Sequence, residues 1–334
     1  MPVCALPWPF GRLYTYARLF IHSFRMHRIL SFTVPPSSTN ELCQQLTSLE
    51  EVITLTVQAG ASRKPAGDVL TVHVLNRGVD AVLRQARATV GHDTDLSVTT
   101  SEATSFIAPA QQETVENDKD EALWEEMESG LRHQGRITTN YLLLMGLGGI
   151  ICTVGLVAEP VPQAVAFVSS AIIAPGFDPM AKVPLALVLK RWSILKLGII
   201  STLVGYAFLV LCAALTMYAL IAAGESSAAA LASNPEVQHI VHPKLTELLP
   251  SASAALAGVV MLAAFRRSFQ AGPLVALAII PAAALIGAGL VTGQPTLAYK
   301  GLERFALDWV FIIGAGVILF GLKQALVHKR QPLA

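Results

Sequence analysis

Cysteine is scarce and scattered: Cys4, Cys43, Cys152 and Cys212 stand singly in a chain of 334 residues. With no CxxC pair and no Cys/His cluster, the spacing indicates neither a disulfide framework nor a structural zinc site. Charge is scarce too, at 14% of residues with a net of +1, and no Lys/Arg stripe interleaved with aromatics marks a nucleic-acid footprint. HExxH, GxSxG and the Walker pattern GxxxxGK[ST] are all missing. Their absence argues against a hydrolase and against ATP-driven transport by this chain alone, so the sequence reads as a non-enzyme with no cofactor. The first residues lack a basic start, an unbroken apolar core and a small-residue cleavage site, which excludes a signal peptide reading. Residues 1–27 instead carry aromatics with Arg12, Arg18 and Arg25. They read as an interfacial amphipathic segment or as an extension ahead of a start at Met26.

What the chain does have is apolar surface, 53% of residues with a positive mean hydropathy, and it is unevenly placed. Up to about Asn140 the sequence is mixed and polar. From Tyr141 onward, apolar runs long enough to cross a bilayer follow one another. A water-exposed part therefore precedes a membrane part.

Residues 28–104 alternate as a small sandwich. Arg28 to Val34 reads as a strand, Pro35-Pro36 ends it, and Ser38 or Thr39 caps a helix through Leu49. Strands follow at Val52 to Val57 and Val69 to Leu75, then a helix opening at Gly78 with Val79, Val82, Leu83 and Ala86 on one face, and a strand at Leu96 to Thr100. The order βαββαβ predicts a ferredoxin-like α+β domain of four antiparallel strands under two helices. Its loop from Gly60 to Asp68, with Arg63, Lys64 and Gly67, is a candidate site for an anionic effector, the competing reading being a solvated hairpin connection. Residues 105–139 form an acidic connector in which Val115, Leu123, Trp124, Met127 and Leu131 are interspersed among carboxylates. The pattern predicts an amphipathic helix, repelled by anionic headgroups and packed on the sandwich or on a neighbouring subunit, the competing reading being a solvated helical connector.

Residues 140–326 divide into six crossings: Tyr141 to Ala158, Val161 to Leu189, Ile194 to Ala222, Leu248 to Phe265, Gly272 to Thr292 and Phe305 to Leu322. Residues 327–334 form a tail. Ten basic residues, Lys190, Arg191, Arg266 and Arg267 among them, flank one side, against Lys244, Lys300 and Arg304 on the other. That asymmetry places both termini and the sandwich in the cytosol. The first triplet of crossings then starts inside and the second outside, so the two have opposite orientation, the layout of an inverted repeat. The middle crossing of each triplet contains proline, and Ala171-Ile172-Ile173-Ala174-Pro175 resembles Ala278-Ile279-Ile280-Pro281-Ala282. Chance similarity between two Ala/Ile-rich helices is the competing reading; on the repeat reading both middle crossings are expected to break, and paired breaks are where membrane proteins hold solutes or ions.

The first break is the richer. Val161 to Leu189 would span about 40 Å as a straight helix, more than a hydrocarbon core of about 30 Å. Ser169, Ser170, Pro175, Gly176, Asp178, Pro179 and, across the repeat, Pro281 are the candidate residues for binding a small solute or ion. Asp178 is the charge to watch, with a competing reading as an N-cap followed by proline at the first helical position. Glu303 and Asp308 pair with Lys300 and Arg304 at the outer interface or line an entrance. Glycine faces on the first and third crossings read as close helix contacts. His239 and His242 have helical metal spacing without a third ligand.

The Ser169-Ser170-Ala171-Ile172-Ile173-Ala174-Pro175 run with Pro179, the later Ala278-Ile279-Ile280-Pro281 segment and the sandwich with its acidic connector resemble a bacterial family. It is the "uncharacterised hydrophobic domain" family, domain of unknown function 389. The resemblance covers Arg28 to Leu326. It departs at Gly176-Phe177-Asp178, where Leu-Met-Gly is expected, and at Pro281-Ala282, where Pro-Pro is common. It implies a multi-pass protein of the bacterial inner membrane and supplies no reaction. The leading functional expectation is a transporter or channel for a small solute or ion, embedded in the lipid bilayer as a homo-oligomer, with a regulatory or oligomerising cytosolic domain. The alternative is a membrane-anchored sensor or scaffold whose cytosolic domain binds an effector or partner.

Overall fold

The computed structural model describes residues 27–91, 96–102, 124–133, 135–265 and 268–326, which form two compact units, one on either side of the span 103–123. The expectations for residues 1–26, for most of the acidic connector, for Arg266 and Arg267, and for the tail lie outside the described residues.

In the first unit, β1 (Arg28–Val34) buries every second residue, as a half-buried strand must, and sits centrally between two neighbours. It is followed by α1 (Pro36–Thr47), β2 (Val52–Arg63), β3 (Ala66–Val74), α2 (Val79–Val90) and β4 (Ser97–Glu102). The sheet order is β2-β3-β1-β4, and every neighbouring pair is antiparallel. Leu30, Phe32, Val34, Leu70, Val72 and Val74 from the sheet, Leu42 and Leu46 from α1, and Val79, Val82 and Ala86 from α2 are fully buried.

Three local expectations need correction here. Helix α1 starts at Pro36, whose fixed φ and missing N–H suit a first helical position, so neither Ser38 nor Thr39 is its cap. Thr39 instead donates to the Asp68 carboxylate at 2.7 Å. The expected loop from Gly60 to Asp68 is mostly strand: β2 runs to Arg63 and β3 starts at Ala66, leaving Lys64 and Pro65 as the turn. Gly60, at φ +62°, sits in an irregular stretch of β2, and its N–H donates to Asp68 at 2.7 Å. Gly67 faces β1, where a Cβ would stand 2.4 Å from the Val34 carbonyl oxygen. It is a packing glycine, and of the three candidates only Arg63 and Lys64 are exposed.

Four described groups in this unit, Asp68, His27, His73 and Cys43, titrate away from their ordinary range. The Gly60 amide, and after it the Thr39 hydroxyl, hold the Asp68 carboxyl below the usual carboxylate value. His27 and His73 share a 3.1 Å ring nitrogen contact, and burial beside that second ring pushes His27 down to about 4.

The second unit is helical. It comprises α3 (Trp124–His133), α4 (Thr139–Val157), α5 (Pro160–Ile173), α6 (Phe177–Val188), α7 (Trp192–Ala222), α8 (Ala228–Ser233), α9 (Pro235–Val241), α10 (Leu245–Phe265), α11 (Ser268–Val291) and α12 (Pro295–Leu326). Four helices, α4, α7, α10 and α12, are long and apolar enough to cross a membrane; α5 and α6, bent by 52° at a short break, make a fifth candidate together. Helix α11 contributes a shorter apolar stretch, Val275–Val291. Many large apolar side chains face outward from these helices, including Leu143, Leu147, Leu203, Leu211, Leu215, Val310 and Ile318. Water would not tolerate that surface and lipid does, so this is a membrane protein.

The connector helix differs from expectation. Trp124, Met127 and Leu131, spaced three and four residues apart, are buried in the helical unit, with Trp124 edge-on to Phe320 of α12 and the Lys323 ammonium 5.6 Å from its ring. The described part of the connector therefore belongs with the membrane helices.

The second expected break is also absent. Helix α11 runs unbroken through Pro281. Strong helix formers, Ala282, Ala283 and Ala284, follow the proline, and all three are buried against neighbouring helices, so losing one amide hydrogen bond does not end the helix.

Candidate functional site

The α5–α6 break forms where three helix-hostile residues crowd together. Pro175 has no N–H, Gly176 gains nothing from helix, and Pro179 follows three residues on. Helix α5 ends with Ala174 in an extended conformation (φ −82°, ψ 117°). Gly176 then donates across a tight turn to the Ala174 carbonyl at 2.8 Å, and α6 starts at Phe177 with Gly176 as its N-cap.

Asp178 is not the cap. It lies in the first turn of α6, and no side chain caps that end. A carboxylate there is favoured by the helix dipole. Four residues on, in a span otherwise free of bases, Lys182 is fully buried and donates to the Gly135 carbonyl at 3.0 Å. Asp178 is within electrostatic reach of both Lys182 and Tyr141. The 178/182 spacing of acid and base was legible in the sequence, and the sequence reading passed over Lys182.

Helix α7 closes one side of the break. A Cβ on Gly176 would lie 2.3 Å from the Tyr206 hydroxyl oxygen, so glycine is required where the tyrosine meets the turn. Tyr206 has fourteen residues of α7 before it and sixteen after, which sets the break against the middle of that helix. Tyr206 is 4% exposed and its hydroxyl has no hydrogen-bond partner. One turn earlier, Tyr141 from the first turn of α4 fits over Gly205 and donates to the Ser201 carbonyl at 3.0 Å. The Ser201 hydroxyl is buried and unpartnered.

Helices α10, α11 and α12 close the other side. Phe177 packs toward Gly258 of α10, beside Val275 of α11, and α11 packs along both α5 and α6. Phe305 of α12 stands edge-on to Tyr206 with ring centroids 4.7 Å apart. One turn further, Arg304 donates from Nε to Asp308 Oδ2 at 3.1 Å, with the two residues only 8% and 4% exposed, and Arg304 Nη2 also bonds the Ser251 hydroxyl. The expected pairing of Arg304 with Asp308 is present, but it is buried among helices; only Lys300–Glu303, at 2.8 Å, is a solvated pair.

The sequence candidates divide accordingly. Pro175, Gly176, Asp178 and Pro179 all sit at the break. Ser170 is buried, but its hydroxyl donates to Phe167 O at 2.8 Å and its carbonyl accepts from Ala174, so it serves the last turn of α5. Ser169 is half-buried on the same turn. Pro281 lies within continuous α11. His239 stands 3.8 Å from Glu236 and 3.9 Å from Glu247 at the surface. The glycine faces do make close contacts: a Cβ on Gly148 would lie 2.6 Å from that of Ala174, and one on Gly149 would lie 2.6 Å from the Leu209 carbonyl oxygen.

No curated protein and no solved structure matches the chain. Residues 171–314, which begin on the last turn before the break and run past the Arg304–Asp308 pair, match the family described as Domain of unknown function (DUF389).

Proposed function

We propose that the protein is a transporter or channel for a small solute or ion, and that the α5–α6 break is where the solute is held. One observation carries the reading: an uncapped helix start is buried at mid-length of α7, facing a tyrosine hydroxyl with no partner. Backbone that leaves the helical path inside a membrane protein is tolerated where it is covered by protein or lines a polar path, and the midplane is where transporters place such ends.

Around this site the reading has six crossings, with α11 as the fifth, and inverted triplets that differ in their middle member. Both termini of the membrane domain face the basic, cytosolic side of a bacterial inner membrane. The contact of Lys323 Nζ with the Ala263 carbonyl brings the last turns of α10 and α12 to one end, as that topology requires. The sheet unit is read as a cytosolic ferredoxin-like domain, supported by its order β2-β3-β1-β4, and as the regulatory or oligomerising part of a homo-oligomer.

The test is flux. Full-length protein in lipid vesicles, challenged with gradients of potassium, sodium, protons, chloride, phosphate and acetate, should dissipate at least one of them faster than protein-free vesicles. Gly176→Trp, a wedge against Tyr206, should abolish that flux in protein that still inserts. Equal leakage of every ion with and without the protein would reject the transport reading.

A further inference from the structure

Among the described residues of the helical unit, five buried polar atoms lack a hydrogen-bond partner, and four of them lie on two helices that meet through Tyr206 and Phe305: Ser201 Oγ and Tyr206 Oη on α7, and Asp308 Oδ1 and Trp309 Nε1 on α12. An unpartnered buried polar atom is costly, and two complementary ones near each other signal a site that changes its bonding. Tyr206 is a donor and Asp308 Oδ1 an acceptor; the two lie within electrostatic reach of each other, and Phe305, less than one turn before Asp308 on α12, stands edge-on to Tyr206 with ring centroids 4.7 Å apart. The other carboxylate oxygen is committed to Arg304, and Ser251 stands beside the same group.

We propose that Asp308 is a membrane-embedded proton site, read by Tyr206 and through it by the helix break at Gly176. When the carboxylate is ionised, it neutralises Arg304, and Oδ1 accepts from the Tyr206 hydroxyl directly or through a water. A proton delivered by water to Oδ1 converts the carboxylate to an acid and leaves the pair with the net charge of Arg304. The acid O–H is then a donor, and the Tyr206 hydroxyl must rotate to accept from it. Tyrosine does this without losing its own proton. Because Tyr206 occupies the space a side chain on Gly176 would fill, that rotation is felt at the α6 N-terminus.

The surrounding groups make Asp308 the titrating member. Its own helix offers Arg304, α10 offers Ser251, and α7 offers Tyr206. Helix α11 carries no titratable residue, Asp178 of α6 acts on Lys182 and on Tyr141, Tyr141 of α4 is also within reach of Tyr206, and His239 of α9 sits by Glu236 and Glu247. The proton site stands on its own geometry, while its use in coupling rests on the transport reading.

The experiment is pH-dependent infrared difference spectroscopy on full-length protein in lipid vesicles, paired with proton uptake into dye-filled vesicles under an imposed potassium potential. His27→Gln combined with His73→Gln serves as background for both, because His27 and His73 titrate in the other unit. A protonated-carboxyl band should titrate, vanish in Asp308→Asn and shift in Tyr206→Phe; proton uptake should fall at least tenfold in Asp308→Asn. If that variant fails to insert, Arg304→Gln combined with Asp308→Asn, which leaves no uncompensated charge, carries the same expectation. A band that survives loss of Asp308, or that Tyr206→Phe leaves unmoved, overturns the proposal. Solute flux without any titrating band overturns the proton site and leaves transport standing; a titrating band in a protein that moves nothing does the reverse.

Discussion

Two apolar spans of this protein carry a proline near their centre, and only one of them breaks. Around Pro175 the chain bends by 52° between α5 and α6, whereas α11 passes through Pro281 as one helix. Pro184 and Pro250 likewise stand inside intact helices. A proline removes one hydrogen bond and crowds one carbonyl, which buried alanine neighbours can absorb. Breaking the span takes a neighbouring glycine, a second proline within a turn, and a partner shaped to receive the turn. Tyr206 is that partner, and nothing in the local sequence announces it.

The largest test of this contrast is Gly176→Ala. Its Cβ would meet the Tyr206 hydroxyl, so overpacking should destabilise the protein by about 1–3 kcal/mol, read as a lower thermal midpoint of the purified protein in detergent. Tyr206→Phe alone should cost less than about 1 kcal/mol, since the hydroxyl it removes is buried and unpartnered in this structure and holds no more than a switchable bond to Asp308. Combining the two should recover part of the loss, with a coupling of about 0.5–3 kcal/mol. Strictly additive effects would mean that the turn does not depend on the tyrosine. A second test transplants the glycine: Ala282→Gly gives α11 the Pro-Gly pair of the broken span and should cost about 1 kcal/mol. Spin labels on either side of position 281 should keep their helical separation, because position 282 packs against Gly301 of α12 and has no turn to hold open; a new bend would show that Pro-Gly alone suffices.

The same contrast explains what the sequence disclosed. Strand β1 was legible because a period of two over seven residues has one physical solution, and the buried helix faces of Leu42/Leu46 and Val79/Val82/Leu83/Ala86 were legible from their spacing. The hairpin was underestimated because Gly60 and Pro65 read as loop, although Gly60 sits in a strand irregularity that Asp68 holds. Trp124, Met127 and Leu131 displayed an amphipathic face but not what would cover it. At the site, Pro175, Gly176 and Asp178 could be picked out by residue type. Lys182 could have been, by its spacing from Asp178, and was passed over; Tyr206, Tyr141 and the burial of Arg304–Asp308 could not, because each owes its importance to helices distant in sequence.

The finest test is Pro281→Ala. An amide at 281 in continuous α11 would point at the Leu277 carbonyl and restore one helical hydrogen bond, a gain of about 1 kcal/mol visible as a small rise in thermal midpoint. Pro175→Ala should bring no such gain, because Ala174 is already extended and an amide at 175 no longer faces the α5 carbonyls. If Pro281→Ala destabilises instead, the carbonyl that the proline frees has a partner worth more than the helix bond. Natural α11 would then be a second polar element facing the break, and the two triplets would be more alike than their helix boundaries suggest.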